Sequence, residues 1–346
     1  MNSGITKQAL IRHRWSLLGP ACTQVVGAAV IAVMLMASHS IDSSLTVAER
    51  HAPAIAGVVE AMNIFRGNAR FLSVIIVGVT MSLAMTHQMH DIALLRSIGA
   101  TPGQMRRCLV RQAVVVSVPA SIVGFLLAIP VGAAWVGVLK SQDVLPSAVH
   151  FEPEMNAFYV ALGVEMVASL VGTMVAVLRP SRLAPAKALT ETTAGRGPIG
   201  RRRVVAGAAL VAAGVGLSAV LSQLSASTAS SAGIFILLGE SVGVGLLGPL
   251  ILRKVSRALE PYTGSGLGRL ALEDLAAASR SLSGALIPLV LSISFALIQD
   301  GMLSTAAHAT GVTNTTQRLM TLSGTASMVL FAGVAALNCL ITIAVG

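Results

Sequence analysis

The sequence predicts an all-α integral membrane protein, a polytopic helical bundle of about eight transmembrane helices. Of its 346 residues, 54% are hydrophobic and 11% charged, whereas a soluble domain carries roughly a quarter charged residues. Mean hydropathy is +0.80. The apolar residues fall into long unbroken runs, and a run of about 20 crosses the hydrocarbon core as a helix that satisfies its own backbone hydrogen bonds. The runs are continuous rather than alternating, which excludes a β-barrel.

The first run, 17–36, follows Lys7, Arg12 and Arg14. It is long for a signal-peptide core and reads as a retained anchor rather than a cleaved leader. The segment 37–70 comes next. Thr46 and Glu49 have capping-box spacing, so a surface helix starts there, and Pro53 limits its regularity. The segment is too small to be expected to fold around a core of its own. The second run, 71–85, is short for a span and is expected to extend into water. The third and fourth runs are 113–138 and 157–178, the fifth and sixth 204–221 and 232–252, and the seventh and eighth 282–298 and 323–345; the seventh is again short.

The net charge is +10, and its distribution follows the spans. With the N-terminus in the cytoplasm, the inner segments hold most of the cations, among them Arg96, Arg106, Arg107, Arg111, Arg179, Arg182, Lys187, Arg201, Arg202, Arg203, Arg253, Lys254 and Arg257. The outer ones hold only Arg50, Arg66, Arg70, Lys140 and Arg318. That asymmetry is the positive-inside rule. The basic charge therefore reports topology in a cell membrane, not nucleic-acid binding.

Between the second and third runs, Asp91, Ile92, Leu94, Leu95, Arg96, Ile98, Gly99, Ala100, Thr101 and Pro102 spell a helix, a stop and a second helix. Ile92, Leu95 and Ile98 recur at helical spacing. Gly99 suits a left-handed C-terminal residue, Thr101 and Gln104 form a capping box, and Pro102 fits the first turn. The result is a rigid elbow at the membrane surface, the kind of element through which force from a cytoplasmic partner can reach a membrane helix.

Glu165 and Glu240 lie within the fourth and sixth runs. A carboxylate at that depth is costly and by default faces the bundle interior. It either bonds to a neighbouring helix or serves proton or cation movement. Gly239 and Gly243 form a small-xxx-small pair read as helix packing. His87, His90 and Asp91 share one helix face but lack a second ligand cluster, so no metal is expected. The three cysteines, Cys22, Cys108 and Cys339, form no disulfide framework. The only lysines are Lys7, Lys140, Lys187 and Lys254, and none follows a glycine. A phosphate-binding P-loop is absent, no cofactor is expected on this chain, and ATP would be bound by a partner.

The elbow sequence Asp91 to Gln104 resembles the signature of the FtsX-like (MacB-type) ABC transporter permease family, with Asp91 where members usually have Glu. The basic, proline-containing stretch from Arg179 to Leu189 is similar to the segment after the fourth span of such a unit. The resemblance implies that the elbow is a coupling helix docking on an ABC ATPase subunit. It also implies a division into a first permease unit over 1–190, two linking spans over 191–262, and the start of a second unit over 263–346. An echo of the first lead-in at Gly268 to Arg280 supports the duplication, and two final spans of the usual design are not in this sequence. The expected activity is not enzymatic: a permease subunit that couples ATP hydrolysis by its partner to export or extraction of an amphiphile (lipid, antimicrobial peptide or drug), with a second permease copy as a further partner. The alternatives are an ion-coupled secondary transporter using Glu165 and Glu240, and an ATPase-driven transmembrane signalling protein.

Overall fold

The computed structural model describes residues 14–88, 94, 97, 99–178, 201–221, 226–262, 268 and 333. The seventh and eighth runs, the first lead-in through Arg12 and the stretch from Arg179 to Leu189 lie outside them. The helices are α1 (Arg14–Ser44), α2 (Val47–Arg50), α3 (Pro53–His87), α4 (Pro102–Ser141), α5 (Met155–Leu178), α6 (Arg201–Leu221) and α7 (Ala226–Leu259), followed by a 3₁₀ turn at Glu260–Tyr262. Four are long and apolar enough to cross a membrane, over Leu17–Ser44, Phe65–Met85, Gly103–Ser141 and Met155–Ala176. They correspond to the first four predicted runs. The fifth and sixth runs lie within α6 and α7.

Helices α1, α3, α4 and α5 run alternately up and down. The central pair is α1 and α5, each packed on α3, on α4 and on the other. Their surface is apolar: Ile122, Val123, Leu126, Leu127 and Val131 on α4 are exposed, as are Val167, Val171 and Val175 on α5. Polar side chains are inside, with Gln24, Ser73, Thr80, Gln112, Ser117, Ser121, Glu165, Ser169 and Thr173 all buried. Water would favour the reverse arrangement. Lipid does not penalise exposed valine, and it makes an outward-facing carboxylate expensive.

Small residues let the backbones approach closely. A Cβ built on Gly172 of α5 would run into the carbonyl oxygen of Gly78 on α3 and lie 2.9 Å from the Gly78 Cα. At the α1–α4 crossing, a Cβ on Gly124 would lie 2.5 Å from the Val25 carbonyl oxygen and 2.8 Å from the Ala28 Cβ. In the α6–α7 hairpin, the predicted pair Gly239 and Gly243 divides. Gly243 lies against Gly207, where its Cβ would come 3.0 Å from the Gly207 carbonyl oxygen, while the space beside Gly239 is open.

At the end carrying α2, the chain makes more structure than its length suggests. Ala37, Ile41 and Leu45 of α1 and its exit, Val58, Met62 and Phe65 of α3, Val136 and Leu139 of α4, and Val144, Leu145 and Val149 of the loop after it form one buried cluster. The segment 37–70 thus shares a core with the 142–154 loop, a partnership its own length does not reveal. Thr46 caps α2 as expected, with Glu49 closing the box. Hydrogen bonds from the Thr46 hydroxyl and amide hold the Glu49 carboxyl below its ordinary pKa. Pro53 does not interrupt this helix; it opens α3, the position where its fixed φ and missing N–H cost least. With that start, α3 is 35 residues long and outruns its apolar segment at both ends.

The end of α4 is a Schellman motif. The Val144 amide donates to the Leu139 carbonyl at 2.9 Å and the Asp143 amide to the Lys140 carbonyl at 3.0 Å, with Asp143 at φ +56°. A residue with a Cβ is strained in this conformation, and Asp143 is exposed. Asp143→Gly is therefore expected to stabilise the bundle by about 0.5–1 kcal/mol, read as a raised unfolding midpoint in detergent. A lowered midpoint would show that the aspartate side chain itself supports the turn.

Candidate functional site

The buried polar residues meet at the centre of the four-helix unit. α5 contributes Glu165, fully buried, whose Oε1 accepts a 2.5 Å hydrogen bond from the Ser73 hydroxyl of α3. α1 contributes the space. A Cβ on Gly27 would collide with both Ser73 Oγ and Glu165 Oε1 and lie 3.3 Å from Glu165 Cδ. Three helices thus converge on one carboxyl group, and only glycine fits at the α1 position.

Around this pair, hydrogen-bonding capacity exceeds use. Glu165 Oε2 has no partner, nor does either amide atom of Gln24, nor Ser169 Oγ. Gln24 lies one helical turn from Gly27, and Ser169 one turn from Glu165, so both adjoin the carboxyl group by register. On α3, Arg70 is one turn from Ser73 and its Nε is likewise buried without a partner. Each buried group left unpaired costs about 1–3 kcal/mol. A cluster of them in a span is the pattern of a functional position, since packing alone would have favoured alanine or leucine. Among the described residues no group of three His, Cys, Asp or Glu side chains could hold a metal.

The second predicted carboxylate sits elsewhere. Glu240 of α7 is half-buried and lies in a notch at Gly214 of α6, where a Cβ would come 2.8 Å from its Oε1. Glu165 and Glu240 therefore serve different helix groups, one the four-helix unit and the other the hairpin. Sequence reasoning picked out Glu165 but not Ser73, Gly27, Gln24 or Arg70. A usable signal was present: Glu165, Ser169 and Thr173 recur every four residues, which puts all three on one inward face.

The predicted elbow joins α3 to α4. Asp91, Ile92, Leu95, Arg96 and Ile98 lie outside the described residues. Leu94 is helical and exposed, and the helical Ser97 donates from its hydroxyl to the Leu94 carbonyl at 2.7 Å. Gly99 has φ +106°, well inside the region that favours glycine. Ala100 follows. Thr101 is the N-cap of α4: its hydroxyl accepts from the Gln104 amide at 3.3 Å, and the Gln104 side chain accepts from the Thr101 amide at 3.1 Å. Pro102 opens the helix. His90 and Asp91 of the weighed metal triplet also fall outside the described residues.

Helices with valine and leucine outside and a buried carboxyl group at their centre mark a multi-pass membrane protein. Over residues 67–185, about a third of its length, the chain matches the family described as FtsX-like permease C-terminal. The match begins inside α3 and runs past α5 to Pro185. It includes Ser73, Glu165 and the elbow; α1, with Gly27 and Gln24, lies outside it. No curated protein and no solved structure matches the chain.

Proposed function

We propose that the chain is the permease subunit of a MacB-type ABC transporter. In this reading a separate ATPase docks on the elbow and drives α3 and α4 against α1 and α5 to export or extract an amphiphilic substrate. The observation that supports it best is the elbow within the family match: a left-handed Gly99 followed at once by the Thr101–Gln104 capping box. Two caps back to back hold the last turn before α4 at a fixed angle, so a push on one helix is transmitted to the other instead of being absorbed by a flexible loop. The exposed apolar flanks of α4 and α5 suit a substrate that moves laterally among the helices. The cytoplasmic face is then the elbow end, and α2 lies outside.

The test is affinity purification from native membranes in mild detergent. Wild-type chain is expected to carry an ATPase with Walker motifs, and Leu95→Asp to lose most of it while inserting normally. Gly99→Trp, which forces a bulky side chain into a left-handed backbone at a cost of about 1–2 kcal/mol, is expected to uncouple ATPase stimulation. Retention of the ATPase and full coupling in both variants would remove the elbow from the mechanism.

One observation favours a second reading. Glu165 is fully buried with one oxygen unpartnered, as an ion-coupled transporter would require. Purification without any ATPase, together with transport that follows an imposed ion gradient and is lost in Glu165→Gln, would select it.

A further inference from the structure

At one end of the α6–α7 hairpin, two basic segments far apart in sequence come to the same level. The register is set by three contacts: Arg203 Nε donates to the Leu246 carbonyl at 3.1 Å, Gly207 faces Gly243, and Gly214 faces Glu240. Continuing this antiparallel alignment places Arg201, Arg202 and Arg203 level with about residues 247–249 of α7. Arg253, Lys254 and Arg257 follow within the next three turns, roughly 15 Å along the axis at 1.5 Å per residue. Six cations therefore share a narrow band, against the single acidic group of Glu260 among the described residues there.

The same stretch of α7 is not an ordinary solvated end. Ile251, Val255 and Leu259 are 42%, 45% and 45% exposed, and their spacing of four residues makes them one ridge. On a helical wheel Lys254 borders this ridge, and Arg253 and Arg257 lie beyond it, while Ser256 turns inward and is buried. Over these two turns α7 thus carries bare apolar side chains on one side and cations on the other, with Lys254 at the border. A helix wholly in water would bury the ridge, and one in the hydrocarbon core would not carry the cations. The pattern fits the boundary, where apolar groups enter the acyl region and lysine and arginine reach the headgroups.

We propose that this band is a binding surface for anionic phospholipid headgroups, which anchors the base of the hairpin. The cations supply charge complementarity, and the apolar ridge selects a lipid over a soluble phosphate. The proposal is independent of ATPase coupling. It goes beyond the topology signal of the same residues, because it assigns them a bound ligand and not only a side of the membrane.

The test uses the full chain reconstituted in phosphatidylcholine vesicles with or without phosphatidylglycerol, followed by detergent extraction and mass spectrometry of retained lipid. Wild type is expected to retain phosphatidylglycerol in excess of its share. Arg253→Gln/Lys254→Gln/Arg257→Gln is expected to lose about fivefold in apparent affinity per cation removed, the worth of one lysine or arginine at an anionic surface. Arg253→Lys/Arg257→Lys keeps the charge and is expected to keep the lipid, which separates lost binding from lost folding. Ile251→Gln/Val255→Gln/Leu259→Gln is expected to weaken lipid retention and to let inorganic phosphate compete. Unchanged phosphatidylglycerol retention in the triple glutamine variant would overturn the proposal. Equal displacement by inorganic phosphate in the wild type would overturn it in favour of a bare phosphate site. A triple variant that keeps its lipid but loses a co-purifying protein would overturn it in favour of an acidic protein partner.

Discussion

Gly172→Ala is expected to destabilise the four-helix unit by about 3 kcal/mol, near the top of the range for an overpacked core, while Gly78→Ala at the same crossing is expected to be nearly silent. The asymmetry comes from the direction of the two missing side chains. A Cβ on Gly172 points into the Gly78 peptide, and backbone cannot rotate aside as a side chain can. A Cβ on Gly78 meets only the Ala168 carbonyl oxygen, at 3.7 Å, an ordinary van der Waals contact. Thermal unfolding in detergent, followed by the reactivity of the Cys22 thiol, measures both. Equal effects from the two alanines would mean that α3 and α5 do not cross as described.

The second large effect is at the carboxyl group. Gly27→Ala places a methyl where Ser73 Oγ and Glu165 Oε1 already are, and is expected to cost about 2–3 kcal/mol. Because these obstacles are side chains, the cost should be reversible. Adding Glu165→Ala removes one obstacle and releases the Ser73 hydroxyl from its hydrogen bond so that it can rotate away, so the double variant is expected to be more stable than Gly27→Ala alone, with a coupling of about 1–2 kcal/mol. Independent, additive effects would show that Gly27 does not face Glu165. Transport separates structure from function further. If Glu165 only fills the centre, the double variant regains activity with its stability; if the carboxyl group takes part, activity stays lost.

The first four spans were legible from their apolar runs because composition alone forbids another environment for them. The elbow was legible because caps are local: Gly99, Thr101 and Gln104 act over a few residues, and their types specify the backbone they adopt. Glu165 was visible as an isolated acid in an apolar run. What surrounds it was not. Ser73 and Gly27 are unremarkable residues in membrane helices, and only the register of α1 and α3 against α5 makes them neighbours. The same limit explains Gly243: its spacing from Gly239 suggested a pair on one helix, while its actual partner, Gly207, is set by how the hairpin closes. The shared core at the α2 end was missed for a related reason, since Val144, Leu145 and Val149 complete it from about a hundred residues away.

That core is also tied by hydrogen bonds. The His150 amide donates to Ser44 Oγ at 3.0 Å, and the Glu152 amide to Ser40 Oγ at 2.9 Å, which fastens the loop after α4 to the last turns of α1. In the proposed coupling, with α1, α3, α4 and the loop into α5 fastened at this end, the drive enters at the other, where α4 meets the elbow. At 40 residues, α4 is about 60 Å long, so a displacement of about 5 Å at Pro102 would turn it by only about 5° around the fastened end. Near the middle of the span, level with the carboxyl group, the same turn amounts to between 2 and 3 Å (roughly half the displacement at the tip, by proportion along the helix). Under the proposed coupling the molecule would work as a clothes-peg does: a small squeeze at the handles, a hinge that stays shut, and a gap that changes most where the spring is not.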